Sequence, residues 1–122
     1  MNANNIHPLR YSVHTRLREF HLKQLLPDRS NGYLLDIGCG LGYLTEKIGN
    51  GFIRVGMDSD LNALRLNYNR GLKNMVQGDI VKLPFKKQSI DVITCSEVLE
   101  HLPEGMDRSL LFEMSSILKP GG

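Results

Sequence analysis

Apolar residues recur along this chain in two alternating rhythms. Leu9, Val13, Leu17 and Phe20 stand at helical steps, with Leu22, Leu25 and Leu26 following before Pro27; this spacing predicts an amphipathic helix that ends at the proline. The next run, Tyr33 to Ile37, is continuously apolar but for Asp36 and closes on glycine, after which Leu41, Leu44 and Ile48 return to helical spacing before Gly49, Asn50 and Gly51. That is a strand, a tight turn and a helix. The unit then repeats. Phe52 to Met57 reads as a strand, Asp58 or Ser59 as a helix N-cap, Leu61, Leu64 and Tyr68 as a helical stripe, and Gly71 as its stop. Met75 and Val76 form a short third strand leading to Gly78 and Asp79. Beyond a polar loop around Pro84 and Lys86 to Ser89, Ile90 to Cys95 forms a fourth strand, and Leu111, Met114 and Leu118 mark a last helix before Lys119, Pro120, Gly121 and Gly122.

Strands that are apolar runs, alternating with helices, imply a parallel sheet covered on both faces. The fold class is α/β, a Rossmann-like doubly wound sheet. Residues 1–32 form an N-terminal helical segment and residues 33–122 the α/β domain. In such sheets ligands bind outside the carboxyl ends of the strands, where the strand order reverses.

Composition narrows the functional classes. With 15 Lys and Arg against 13 Asp and Glu, the net charge is only +2, far from the basic balance that holds a phosphate backbone; no nucleic-acid partner is expected. No run approaches the ~18 apolar residues of a membrane helix, and MNANNIHPLR lacks the apolar segment of a signal peptide, so a cytoplasmic protein is expected. Cys39 and Cys95 form no metal-spaced pair and lie in apolar runs, which reads as buried, reduced thiols. The basic residues of the N-terminal segment (Arg10, Arg16, Arg18, Lys23, Arg29), interspersed with His7, His14 and His21, read as a solvated helix face, with an acidic substrate as the alternative partner.

Candidate chemistry gathers at the strand ends. Asp36, Asp58 and Asp79 stand one βα unit apart at or near the carboxyl ends of the first three strands. Beside Asp36, Gly38, Gly40 and Gly42 allow a tight turn and close approach of a ligand to backbone amides at a helix start. Asp58, at the end of the next strand, can accept hydrogen bonds from two ribose hydroxyls. A dinucleotide fingerprint would place its third glycine one position later, where Tyr43 stands. The acid before the glycines suits a ligand carrying an ammonium group better than one carrying a pyrophosphate, so the pattern favours a cationic nucleoside.

At this point LLDIGCGLGYL resembles the first motif of the class I S-adenosylmethionine-dependent methyltransferases. VGMDSD is similar to the segment after their second strand, QGDIVKLPF to the adenine-side loop, IDVITCSEVLEHL to the fourth strand and its turn, and ILKPGG to the approach to the fifth. The resemblance spans about residues 33 to 122 and is strongest to the ubiquinone and menaquinone biosynthesis branch. It implies S-adenosyl-L-methionine as cofactor and a small-molecule methyl acceptor. Asp36 and the Gly38, Cys39 and Gly40 backbone would hold the methionine portion, Asp58 the ribose hydroxyls with Ser59 beside it, and Asp79 the adenine amine near the Ile80 amide. Ser96 would lie near the methionine carboxylate or the transferred methyl.

Glu97 and His101 are the candidate catalytic residues. Glu97, Glu100 and His101 stand at i, i+3 and i+4, ligand chemistry for a divalent metal if they share one helical turn; the alternatives are that Glu97 shapes the cofactor pocket while Glu100 and His101 bond locally, or that His101 is a general base. The resemblance also implies seven strands in the order 3-2-1-4-5-7-6, whereas four are legible. The fourth would then be an exposed apolar edge prone to self-association, or the sequence would belong to a larger parent protein. Two other readings stay open: a dinucleotide-dependent oxidoreductase domain, and a non-catalytic interaction module that uses the exposed strand.

Overall fold

The structure, a computed structural model, describes residues 13–27, 31–96 and 98–122. Leu9, with His7 and Arg10, Asp28 and Arg29, and the candidate catalytic Glu97 lie outside the described residues. Helix α1 (Val13–Leu25) is followed by β1 (Tyr33–Ile37), α2 (Tyr43–Lys47), β2 (Ile53–Asp58), α3 (Leu61–Asn69), β3 (Met75–Gln77), β4 (Val92–Thr94), a 3-10 turn at Leu99–His101, and α4 (Met106–Ile117).

The four strands form one sheet in the order β3-β2-β1-β4, and all three pairings are parallel. This is the expected Rossmann-like architecture, with the order reversing between β1 and β4. Consecutive β1 side chains serve opposite faces. Leu34 joins Ile48 and Phe52 in one buried cluster, whereas Leu35 and Ile37 join Met57, Leu83, Ile90, Leu110 and Ile117 in the other. Both sides of β1 are therefore buried, which is why its sequence is an apolar run with no polar alternation.

Several elements sit differently from their sequence expectation. In α1, Leu17 and Phe20 are more than half exposed and Leu25 is 80% exposed; the contact with the sheet runs instead through Leu22 and Leu26, packed on Leu34, Ile48 and Phe52. The helix docks by its last turns, and its most apolar stripe faces away. The buried face of α4 is Leu110 and Ile117 with Met114, while Leu111 is half exposed. In α3 the buried positions are Ala63, Leu64 and Asn67, with Leu61 and Tyr68 largely exposed. The α3 N-cap is Asp60, whose Oδ1 accepts from the Asn62 and Ala63 amides. Asp58 remains on the strand, because β2 continues one residue further than its apolar run.

The strand predicted over Ile90 to Cys95 is split. Val92–Thr94 pairs with β1, whereas Ile90 is bridged in parallel to Leu118. The Ile90 amide donates to Ile117 O at 3.0 Å and the Lys119 amide to Ile90 O at 2.9 Å, so the segment after α4 lies along the far side of β4. Lys119 also reaches the buried Asp91 carboxylate at 3.1 Å, which accepts the Tyr33 amide at 2.8 Å. No helix among the described residues is long and apolar enough to cross a membrane.

Candidate functional site

The carboxyl ends of β1, β2 and β4 enclose two cavities that meet at Gly38. The larger, about 260 Å³, is lined by Met57, Asp58, Ser59, Asp79, Ile80 and Val98 among others. The smaller, about 150 Å³, is lined by Asp36, Cys39, Tyr43, Leu44 and Ser96, and by Arg18 of α1. Of the residues expected to form the site, Asp36, Gly38, Cys39, Asp58, Ser59, Asp79, Ile80 and Ser96 are thus brought to one cleft. Gly40 lies behind it, on a separate small cavity with Asp58 and Asp60.

The glycine turn is held by its own protein. Gly38 has φ 71°, and a Cβ there would come within 2.5 Å of Val98 Cγ2, so only glycine lets the turn after β4 close over it. The Gly38 and Cys39 amides donate to Met57 O at 2.8 and 3.1 Å, and the Gly40 amide donates to Asp58 Oδ2 at 2.9 Å. All three amides bond to the end of β2, because the turn folds back across the sheet to meet the neighbouring strand. The Gly40 carbonyl accepts from the buried Asn67 Nδ2 at 2.8 Å, a contact no local sequence pattern announces.

The two strand-end acids differ in setting. Asp58 is half-buried; its second oxygen accepts the Asp60 amide at 2.9 Å. Each oxygen keeps a further lone pair, and the carboxylate borders the larger cavity. Asp36 is 4% exposed. Its Oδ2 accepts from Thr45 Oγ1 at 2.6 Å and its Oδ1 from Thr94 Oγ1 at 2.9 Å. Burial raises its pKa above the ordinary 3.8, the two threonine hydroxyls pull it down, and the Asp58 charge raises it. The threonines, missed from sequence, arrive by tertiary means: Thr94 is the β4 residue in register with Asp36, and Thr45 lies on α2 above it. Burial, then the Asp36 charge, pushes the Cys39 thiol up to about 12 and the Cys95 thiol up to about 11, which suits inert thiols.

Asp79 is exposed at the cavity mouth and accepts the Val81 amide at 3.0 Å. His101 lies outside both cavities. Its side chain is 76% exposed and its Nε2 is 3.9 Å from Glu100 Oε1. Leu99–His101 is a 3-10 turn, not an α-helical one, and Glu97 lies outside the described residues. Among the described residues no group of three His, Cys, Asp or Glu side chains could hold a metal ion.

With this geometry established, comparison with known proteins is direct. Residues 35–122 match the family model described as a methyltransferase domain. The chain is 32% identical over 108 residues to a ubiquinone biosynthesis O-methyltransferase of Klebsiella pneumoniae, covering 80% of this chain and 44% of that protein. Its fold superposes on that of a putative S-adenosyl-L-methionine-dependent methyltransferase of Methanococcus maripaludis with TM-score 0.77 at 17% identity, over 95% of this chain and 57% of the other. It also superposes on a Haemonchus contortus phosphoethanolamine N-methyltransferase, solved with S-adenosyl-L-methionine, with TM-score 0.73 at 23% identity, over 87% and 26% of the two chains. The chain belongs to the class I S-adenosylmethionine-dependent methyltransferases. The family's cofactor is S-adenosyl-L-methionine, and the chain spans less than half the length of the curated relative.

Proposed function

We propose that this chain is the cofactor-binding portion of a methyltransferase, holding S-adenosyl-L-methionine across the two cavities and presenting its sulfonium methyl to a small-molecule acceptor. The observation that carries this reading is Asp58, anchored by the Gly40 and Asp60 amides while it borders the larger cavity. A carboxylate so fixed accepts from a ribose diol with little further ordering. Met57, Ile80 and Val98 give the same cavity the apolar walls an adenine ring requires, and Asp79 at its mouth can accept from the ring's exocyclic amine. The smaller cavity offers a buried acid, a cation and the Ser96 hydroxyl, the polar complement of a zwitterionic amino-acid end.

When bound, the cofactor supplies an electrophilic methyl group whose leaving group is a neutral thioether. The chain's own residues bind and orient it. In-line placement of the acceptor provides much of the acceleration, with a base needed only where the acceptor must lose a proton. The solvent-facing His101 gives little support to its own use as that base. Similarity to the ubiquinone-pathway O-methyltransferase supports an oxygen acceptor on a small molecule. Calorimetric titration with S-adenosyl-L-methionine and S-adenosylhomocysteine tests the reading. Saturable binding that Asp58→Ala weakens by about 1 to 3 kcal/mol is expected; a folded chain that binds neither would refute it.

A further inference from the structure

Three glycines punctuate the turn after β1, and the third, Gly42, stands one position earlier than a dinucleotide fingerprint would set it. A glycine at this point leaves room for a side chain from α3. Gly42 has φ 73°, and a Cβ on it would stand 2.9 Å from Asn67 Oδ1 and 2.8 Å from Leu72 Cδ1. Asn67 is fully buried, and its Nδ2 donates to the Gly40 carbonyl at 2.8 Å. We infer that Asn67 is a positioning residue of the cleft: by holding Gly40 it keeps the Gly40 amide on Asp58, and so keeps that carboxylate oriented for a ligand's ribose diol. This assignment rests on the proposed cofactor reading and deepens it.

Burial alone would not choose an asparagine here. The position lies one helical turn beyond the buried Ala63, where an apolar side chain would satisfy the packing. Asn67 Oδ1 is buried with no hydrogen-bond partner among the described residues, a penalty that an apolar residue of similar size would not carry. Nor can the amide be reversed, since turning it over would set its oxygen against the Gly40 carbonyl. What the side chain secures is Gly40. A Cβ built on Gly40 would meet nothing within 4 Å, so packing does not fix this residue, and a glycine at φ 52° has wide backbone freedom. Two hydrogen bonds restrain it: its N–H donates to Asp58 Oδ2 at 2.9 Å and its carbonyl accepts from Asn67. Without the second bond the first is held only by the flanking turn. Asp58 then keeps one firm anchor, the Asp60 amide on its other oxygen at 2.9 Å, and its carboxylate is free to rotate. Arg70, at the end of α3, grips the next residue by donating to Leu41 O at 2.7 Å, but that bond is exposed and open to competition from water. The Asn67 bond lies deeper in the fold, where a lost donor is harder to replace.

The test compares S-adenosylhomocysteine with its 2′,3′-dideoxy counterpart, identical but for the diol, titrated into the full chain and into Asn67→Leu, Asn67→Ala and Asp58→Ala. The leucine keeps the volume without the donor, and the alanine carries the test should the leucine not fold. Both Asn67 variants are expected to narrow the preference for the diol ligand about 5- to 20-fold while leaving the dideoxy ligand within about twofold. Adding Asn67→Leu to Asp58→Ala should change affinity for either ligand by less than about twofold, because the group through which it acts is gone. Amide hydrogen exchange without ligand reads the first link: Gly40 should exchange at least about 10-fold faster in Asn67→Leu than in the unaltered chain. A preference that survives in both Asn67 variants would overturn the assignment. So would equal weakening of the two ligands, or a failure of both variants to fold, either of which would make Asn67 a purely structural residue. If the unaltered chain binds the two ligands alike, the assignment fails while a cofactor site stands. If it binds neither, the cofactor reading fails and takes the assignment with it.

Discussion

Asp36 and Asp58 are the same residue type at the ends of adjacent strands, yet they do different work. Asp58 is tied to backbone amides and left half open, so it is oriented without being saturated. Asp36 is enclosed, with a threonine hydroxyl on each oxygen. The first arrangement suits a ligand contact. The second suits a joint between β1, β4 and α2 that also sets the local field. An acid at a strand end therefore does not declare its role; the number of its lone pairs left for a ligand does.

Substitution should separate the two most sharply in stability. Asp36→Ala leaves the Thr45 and Thr94 hydroxyls buried without their acceptor, and we expect a loss of about 3 kcal/mol in urea unfolding. Asp58→Ala should cost only about 1 kcal/mol by the same measurement, because its amide partners can turn to water. Equal costs would erase the distinction. Next in size, Thr94→Val removes one of the two bonds to Asp36 and should destabilise by about 1 to 2 kcal/mol, with nucleoside affinity unchanged.

A pH series sharpens the comparison further. The Asp36 carboxyl titrates higher in the folded chain than its ordinary 3.8, so the folded state holds its proton more tightly than the unfolded state does. The resulting contribution to stability is fully present below pH 3.8 and is lost as pH rises through the folded-state value. Asp36→Asn carries no such dependence. The stability of the unaltered chain minus that of Asp36→Asn should therefore fall as pH is raised above 3.8, measured by urea unfolding at each pH. A flat difference would mean that the carboxyl titrates normally despite its burial. The smallest effect is expected outside the cleft: His101→Ala should change neither stability nor nucleoside binding by more than about 0.5 kcal/mol, since its ring faces solvent.

Much of this architecture was legible in the residues. β1 was found at its true limits because an apolar run between glycines has few other solutions, and the strand-end acids followed from it. The N-cap of α3 was misplaced by one or two positions because Asp58, Ser59 and Asp60 all have capping chemistry, and only the length of β2 decides among them. The helix faces of α1, α3 and α4 were shifted because spacing gives a stripe while the neighbouring element decides which side is covered. Thr45, Thr94 and Asn67 could not be read at all. Each acts through register or packing on a partner in another element, 9 to 58 residues away.

The strand order also bears on how the cleft assembles. The link that joins the glycine turn to β2, Gly40 to Asp58, closes 18 residues of chain, whereas the Thr94 to Asp36 link closes 58. The longer closure costs about 1 kcal/mol more in chain entropy, so β1 and β2 should pair early and β4 should arrive late. The Asp58 side of the cleft would then be in place before Ser96 walls the smaller cavity. In pulsed hydrogen exchange during refolding, the Gly38 and Gly40 amides should gain protection ahead of the Asp91 amide, which bonds to Tyr33 O across the β1–β4 seam.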